Sequence, residues 1–366
     1  MIKNLSFHIS KIRCIKFDTN SNRIATCGDD GKIDIYSTSN LSKPLTTILR
    51  NGHFNKLNDL SWSKFQNKTY LSSCGEDQNK IIIFLEKKQN LFKNIYEYKQ
   101  HNFPVTKCEF SPFHYGLILL CGDQKGKISL HQFKTDINNF VSHIFQTGHS
   151  SINSLSWGPA LKPIHFNVNN IDIDNDNNLQ RLNSYQFCSC GNEGSVKIWK
   201  SLNSDINNFV AEDIYNQNNN FNNNNINNNN FNNNNFNNNN FNDNNFNNNN
   251  FNSQNFNSQN FNNENNNNEI NNNKNNIYSV KWLNYDGYCD DVIVFGGENK
   301  KLMFYKYEED EENEEKWKKV FEIKMNDCIS SIEMSMKGGY LIVTLLNNEV
   351  VILEENLGFE WIIKNK

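Results

Sequence analysis

The chain has 366 residues with 36 basic and 40 acidic side chains, a net charge of −4, so bulk electrostatics give no reason to expect direct nucleic-acid binding. No apolar run approaches the 18 or so residues that a membrane span needs, and Met1-Ile-Lys-Asn-Leu5 leads into a strand pattern rather than a cleaved signal. Nine cysteines, an odd number scattered through apolar runs, read as small core residues in a reducing compartment. The expectation is a soluble protein of the cytosolic or nuclear side that meets membranes only through partners.

In chain order, the first unit pairs Arg23-Ile-Ala-Thr-Cys27 with Lys32-Ile-Asp-Ile-Tyr36. The same text returns with a period of 47 residues at Cys27-Gly28, Cys74-Gly75 and Cys121-Gly122. His53, His101 and His149 keep step at 48, each followed by an aromatic: Trp62, Phe110 and Trp157. The second unit shows how a repeat is built. Leu57–Trp62 and Tyr70–Cys74 read as strands, and Gly75–Lys80 supplies turn chemistry. Ile81–Phe84 is a fully apolar strand, and Phe92–Tyr98 alternates like an outermost one. A fourth copy carries Cys190-Gly191 and Val196–Trp199, a fifth Gly296-Gly297 and Leu302–Tyr305. The sixth has strands at Ile329–Met334, Tyr340–Leu345, Val350–Leu353 and Phe359–Ile363. Four short strands recurring at this period predict an all-β, six-bladed propeller of the WD-repeat type, with inner strands starting near Ile12, Leu57, Val105, Ile152, Ile277 and Ile329.

Two insertions interrupt the period. One, polar and Asn/Asp-rich, runs from Leu161 to Ser184. The other is an Asn tract in which phenylalanines recur every five residues from Phe231 to Phe261, a spacing that suits neither helix nor strand. The organisation expected is blades one to four in 1–215, a disordered Asn-rich insertion in 216–276, and blades five and six in 277–366. The tract reads as a tolerated loop expansion rather than a functional element.

Chemistry-bearing motifs resolve to structural roles. In propeller repeats a Gly-His histidine, as at His53 and His149, joins a strand Ser/Thr and a turn Asp in a buried network. The histidines belong to different blades, so they do not converge on a metal, and Cys188-x-Cys190 lacks a second ligand pair. No nucleophile elbow, phosphate loop or zinc-protease motif occurs. The acidic run Glu308–Glu315 reads as a solvated loop of blade five. No enzyme, metal or cofactor is expected.

Phe113-His-Tyr-Gly-Leu-Ile-Leu-Leu-Cys-Gly122 with Gly126-Lys-Ile-Ser-Leu130 resembles the third blade of the Sec-thirteen family. Asn153-Ser-Leu-Ser-Trp-Gly-Pro-Ala-Leu-Lys-Pro163, followed after its insertion by Val196-Lys-Ile-Trp-Lys200, resembles the fourth, and the first unit resembles the first. Gly296-Gly-Glu-Asn-Lys300 is similar to a turn of that family's penultimate or final blade. The resemblance implies an open ring of six blades whose seventh is supplied in trans by a partner. That partner would be the large outer-cage subunit of the COPII vesicle coat, a nucleoporin of the Y-shaped nuclear-pore subcomplex, or both. Localisation would follow: cytoplasmic, at endoplasmic-reticulum exit sites and at the nuclear pore.

Six units of a size that ordinarily closes as seven leave the first and last blades without a neighbour. The residues expected to meet the donated blade are Ile12, Ile15, Phe17 and Ile24 at one edge and Ile332 and Met334 at the other. A charge at Phe140, on the rim strand of blade three, is expected to leave co-purification of the partner intact. Two competing readings are a closed propeller that recruits substrates to a ubiquitin ligase or chromatin complex, and the sister nuclear-pore propeller of the same superfamily.

Overall fold

The computed structural model describes residues 8, 10–49, 53, 55–159, 185–201, 206–216, 276–283, 291–309, 315–335, 339–356 and 361–364. Their regular structure is six four-stranded antiparallel sheets, with two single 3-10 turns at Asp77–Asn79 and Phe113–Tyr115. Blade one comprises β1 (Ile12–Phe17), β2 (Arg23–Gly28), β3 (Lys32–Ser37) and β4 (Thr46–Leu49). Blade two comprises β5 (Leu57–Phe65), β6 (Lys68–Gly75), β7 (Ile81–Lys88) and β8 (Leu91–Tyr98). Blade three comprises β9 (Val105–Phe110), β10 (Ile118–Asp123), β11 (Lys127–Lys134) and β12 (Asn139–Gln146). Blade four comprises β13 (Ser154–Trp157), β14 (Gln186–Cys190), β15 (Ser195–Ser201) and β16 (Phe209–Asn216). Blade five comprises β17 (Ile277–Leu283), β18 (Val292–Gly297), β19 (Lys301–Glu309) and β20 (Glu315–Lys324). Blade six comprises β21 (Ile329–Met334), β22 (Tyr340–Leu345), β23 (Val350–Glu355) and β24 (Trp361–Ile363). Gly296-Gly-Glu-Asn-Lys300 thus falls in the penultimate blade.

The glycine that ends the second strand in blades one and two has a steric cause. A Cβ on Gly75 would lie 2.2 Å from the Lys56 carbonyl oxygen, and one on Gly28 2.2 Å from that of Lys11, where the chain enters the inner strand. Only a residue without a side chain lets the two backbones approach so closely. In blades one, two, three, five and six the inner strand opens with an irregular register, at Ile12/Cys14, Leu57/Asp59, Val105/Lys107, Ile277/Ser279 and Ile329/Ser331. Such a bulge turns the second residue of the strand out of the sheet.

Counting each inner strand from Ile12, Leu57, Val105, Ile152, Ile277 or Ile329 exposes a directional set of hydrogen bonds between blades. Second-position side chains donate to the first-position carbonyl of the next blade: Asn58 to Val105 at 2.8 Å, Thr106 to Ile152 at 2.6 Å, Asn153 to Ile277 at 2.8 Å. Third-position side chains accept from the next blade's fourth amide: Cys108 donates to Asp59 at 3.2 Å and Ile332 to Ser279 at 3.0 Å. Fifth-position serines accept from the next blade's sixth amide: Phe110 donates to Ser61 at 2.9 Å and Trp282 to Ser156 at 3.1 Å. Two indoles answer in the opposite sense, Trp62 donating to the Lys16 carbonyl at 3.2 Å and Trp157 to that of Glu109 at 3.0 Å.

The Asn tract and the insertion after Leu161 lie outside the described residues, but their flanks do not. Asn216 closes β16, and Asn276 binds Glu298 through its backbone amide (3.2 Å) and its side-chain amide (3.1 Å). Replacing 217–275 by a short Gly/Ser linker is therefore expected to leave the thermal midpoint and partner binding nearly unchanged, since each doubling of loop length costs only about 0.6 kcal/mol. Loss of binding with an intact circular-dichroism spectrum would assign the tract a function.

Candidate partner-binding gap

Among the described residues each apolar core cluster lies between two successive blades, and there are five such clusters for six blades. Ile33 and Ile35 pack with Leu60 and Phe84 between blades one and two. Ile83 and Cys74 pack with Leu119 and Cys121 between two and three. Ile118 and Leu130 meet Trp157 and Phe187 between three and four, and Cys188 and Ile198 meet Trp282 and Phe295 between four and five. Phe304 and Leu302 meet Ile332 and Leu353 between five and six. Among the described residues, no cluster joins blade six to blade one.

The burial patterns tell the same story. The second strands β10 and β14 are buried on both faces, whereas β22 alternates between buried and exposed. Leu341, Val343 and Leu345 face blade five. Ile342 and its cross-strand partner Ile352, with Val350 and Ile362, turn the other way and are 40–54% exposed. Across the gap Ile15 is 51% and Phe17 56% exposed on blade one. An apolar surface on two facing sheet edges is the mark of an unfilled interface.

Of the residues singled out by sequence, Ile15, Phe17 and Ile24 share the outer face of blade one. Phe17 pairs with the buried Ile24 and Ile15 with Thr26. Ile12 is half-buried. Ile332 lies inside the cluster between blades five and six, and Met334 packs against it, so both stand on the face of blade six turned away from the gap. Phe140 is a correction. It is buried between blades two and three, with Tyr96 at 4.9 Å and Phe133 at 5.2 Å between ring centres. The alternating outermost strand turns this residue inward, and the exposed neighbour is Val141.

Inside the ring, inner-strand charges meet near the axis. Lys16 of blade one contacts Glu333 of blade six at 2.5 Å, and Lys281 reaches Glu109 at 3.0 Å and Glu333 at 4.0 Å. Removal from water disfavours the Glu333 carboxylate, but Lys16, Lys281 and Lys107 outweigh that cost and hold its pKa at about 2. Glu333 is itself half exposed, so the pair is a screened contact between polar tips rather than a substitute for an apolar interface.

The histidines behave as a structural series, and one member escaped the sequence reading. His101 links Asp123 at 2.9 Å and Ser129 at 2.8 Å, and His149 links Glu193 and, at 2.8 Å, Ser189. His53 binds Ser73 at 2.8 Å, with Asp77 at 3.9 Å. His8 does the same for blade one, meeting Thr26 at 2.8 Å and Asp30 at 3.0 Å on the face toward the gap. It lacks the preceding glycine, and its distance of 45 residues from His53 was the only signal available. Blade four departs from the expected turn Asp by using Glu193. Burial disfavours that carboxylate, yet the bond and charge of His149, helped by Ser195, hold it at about 2. Cys188 and Cys190 are buried between blades four and five, and burial pushes both thiols up.

This arrangement of stacked four-stranded blades defines a WD-repeat propeller. Residues 1–37 match the family model described as WD domain, G-beta repeat, and a crystal structure of RRP9 WD40 repeats superposes with a TM-score of 0.58 at 12% identity, covering 99% of this chain and 82% of that one. The chain belongs to the Sec-thirteen family. It is 30% identical over 219 residues to a protein transport protein SEC13-2 of Candida glabrata, covering 58% of this chain and 68% of that protein. It is 26% identical over 181 residues to a SEC13 homolog of Drosophila melanogaster; that match spans 49% of this chain and about half (48%) of the relative's length.

Burial strips water from His53 and His131 and lowers their pKa values to about 4 and about 3. The unfolded chain titrates near the ordinary imidazole value of about 6.5, so below that pH it takes up protons that the fold refuses. The stability tied to these neutral rings is complete above about pH 6.5 and is lost as pH falls toward 4. Urea denaturation should show stability declining from pH 7 to pH 4.5 by on the order of 1 kcal/mol per pH unit per histidine. The double variant His53→Gln, His131→Gln should flatten that slope; an unchanged slope would place the dependence on other groups.

Proposed function

We propose that this protein is a non-enzymatic scaffold subunit of the COPII outer coat, acting in transport from the endoplasmic reticulum to the Golgi, and of the nuclear pore complex. Its partners are the large outer-coat subunit and a nucleoporin of the Y-shaped subcomplex, each seating a blade in the gap between blades one and six. It works in the cytoplasm, at endoplasmic-reticulum exit sites and at the pore. The observation that carries this reading is the count of six blades with five apolar interfaces. The names of its relatives as transport proteins support the coat assignment. A donated blade would bury both open faces and satisfy their backbone edges in one step.

Affinity capture of the full chain from its own cells, followed by mass spectrometry, tests the assignment. The outer-coat subunit and a pore subcomplex should be recovered; recovery of a ubiquitin ligase or chromatin complex in their place would favour the adaptor reading. At the level of residues, Ile342→Asp with Ile352→Asp, or Ile15→Asp with Phe17→Asp, should leave folding intact, because these side chains are exposed in the free ring. In the complex each charge would be buried without a partner at a cost of several kcal/mol, enough to abolish co-purification. Val141→Asp, at the rim, should not. A complex that survives both pairs would refute docking in the gap.

A further inference from the structure

The inter-blade hydrogen bonds made by side chains at positions two, three and five run in one direction, and at the gap that direction leaves one set of grips facing outward. Blade six carries Ser331 at the third position and Glu333 at the fifth, where Ser279, Asp59, Ser61 and Ser156 hold the next blade's amides. Ser331 instead bonds Thr344 of its own blade at 2.7 Å, and Glu333 holds Lys16 at 2.5 Å. On the other side, Ile12, Ile15 and Phe17 occupy the positions whose carbonyl and amides are held from the preceding blade elsewhere in the ring. Resting on the reading that a partner strand occupies this gap, we propose that the strand is selected by the same positional code. Its fourth and sixth amides are held by Ser331 and Glu333. Its own side chains at positions two, three and five hold Ile12, Ile15 and Phe17. The partner's inner strand therefore reads apolar, Asn or Thr, Ser or Asp, apolar, Ser, Trp. The sixth-position indole donates to the Glu333 carbonyl, as Trp62 and Trp157 do to the blades before them.

The code can be tested on the full chain without the natural partner, so that failure of the code and failure of the coat assignment are told apart. A second copy of residues 50–98, which carry Asn58, Asp59, Ser61 and Trp62, is appended after Lys366, giving the ring a seventh blade in cis. The fusion should be monomeric and melt higher than the parent, and hydrogen exchange at the Ile15 and Phe17 amides should slow by about tenfold or more. Changing Asp59→Ala and Ser61→Ala in the appended copy alone should abolish the protection at Ile15 and Phe17. Ser331→Ala with Glu333→Ala in the host should abolish protection at the copy's fourth and sixth amides. An appended blade that protects these amides equally with and without the code side chains overturns the proposal, as does a fusion with the code intact that gains neither protection nor melting temperature.

Discussion

A sheet with two apolar faces needs a neighbour on each side, and six of them in an open row can make only five such contacts. The described structure follows from that constraint. Blades two to five bury both faces because each has two neighbours, and their second strands consist almost entirely of small and apolar residues. Blade six spends the same kind of sequence on one satisfied face and one exposed face, whereas in blade one β2 and β3 are buried on both faces and the exposed apolar residues, Ile15 and Phe17, lie on the inner strand. Stability in such an array is the sum of the units and their contacts, so the ends are its weakest members until something covers them.

Apolar contacts hold the blades together but do not fix their order or register. That task falls to polar side chains on the inner strands. Each reaches a backbone group of its neighbour, so a shift by one residue would leave a buried amide or carbonyl without a partner. The axial charges add little to cohesion by comparison. Lys16 and Glu333 meet where water still enters, and their pairing links the two end blades without excluding solvent from the apolar surface beside them.

Much of this was legible in the sequence, because the periodic glycines and apolar runs report backbone constraints that every blade shares. The strand limits of blade six at Ile329–Met334 and Tyr340–Leu345 agree to the residue, and the inner strand of blade four starts two residues late at Ser154. What periodicity could not convey is which alternate residues look toward the gap. Tyr-Leu-Ile-Val-Thr-Leu is apolar on both faces, so nothing in it separates Ile342 from Leu341. The bulge at Ile329/Ser331 further shifts the phase, which sends Ile332 toward blade five. Phe140 shows the same difficulty on a rim strand, where position suggests exposure but side-chain parity decides. His8 was missed because its network is recognisable by geometry, not by a Gly-His pair.

The one-way run of grips from each inner strand to the next also matches the order in which a ribosome releases the chain. Blade two emerges with Asn58, Asp59 and Ser61 already placed to receive blade three, and blade three offers Thr106 to blade four. Each new sheet thus arrives at a surface prepared by the one before it, and no sheet has to wait for sequence still to be made before its leading face is organised. Growth by addition in this sense has no internal signal to stop. The surface of blade six is prepared in the same way as the earlier ones, with Ser331 and Glu333 in the receiving positions.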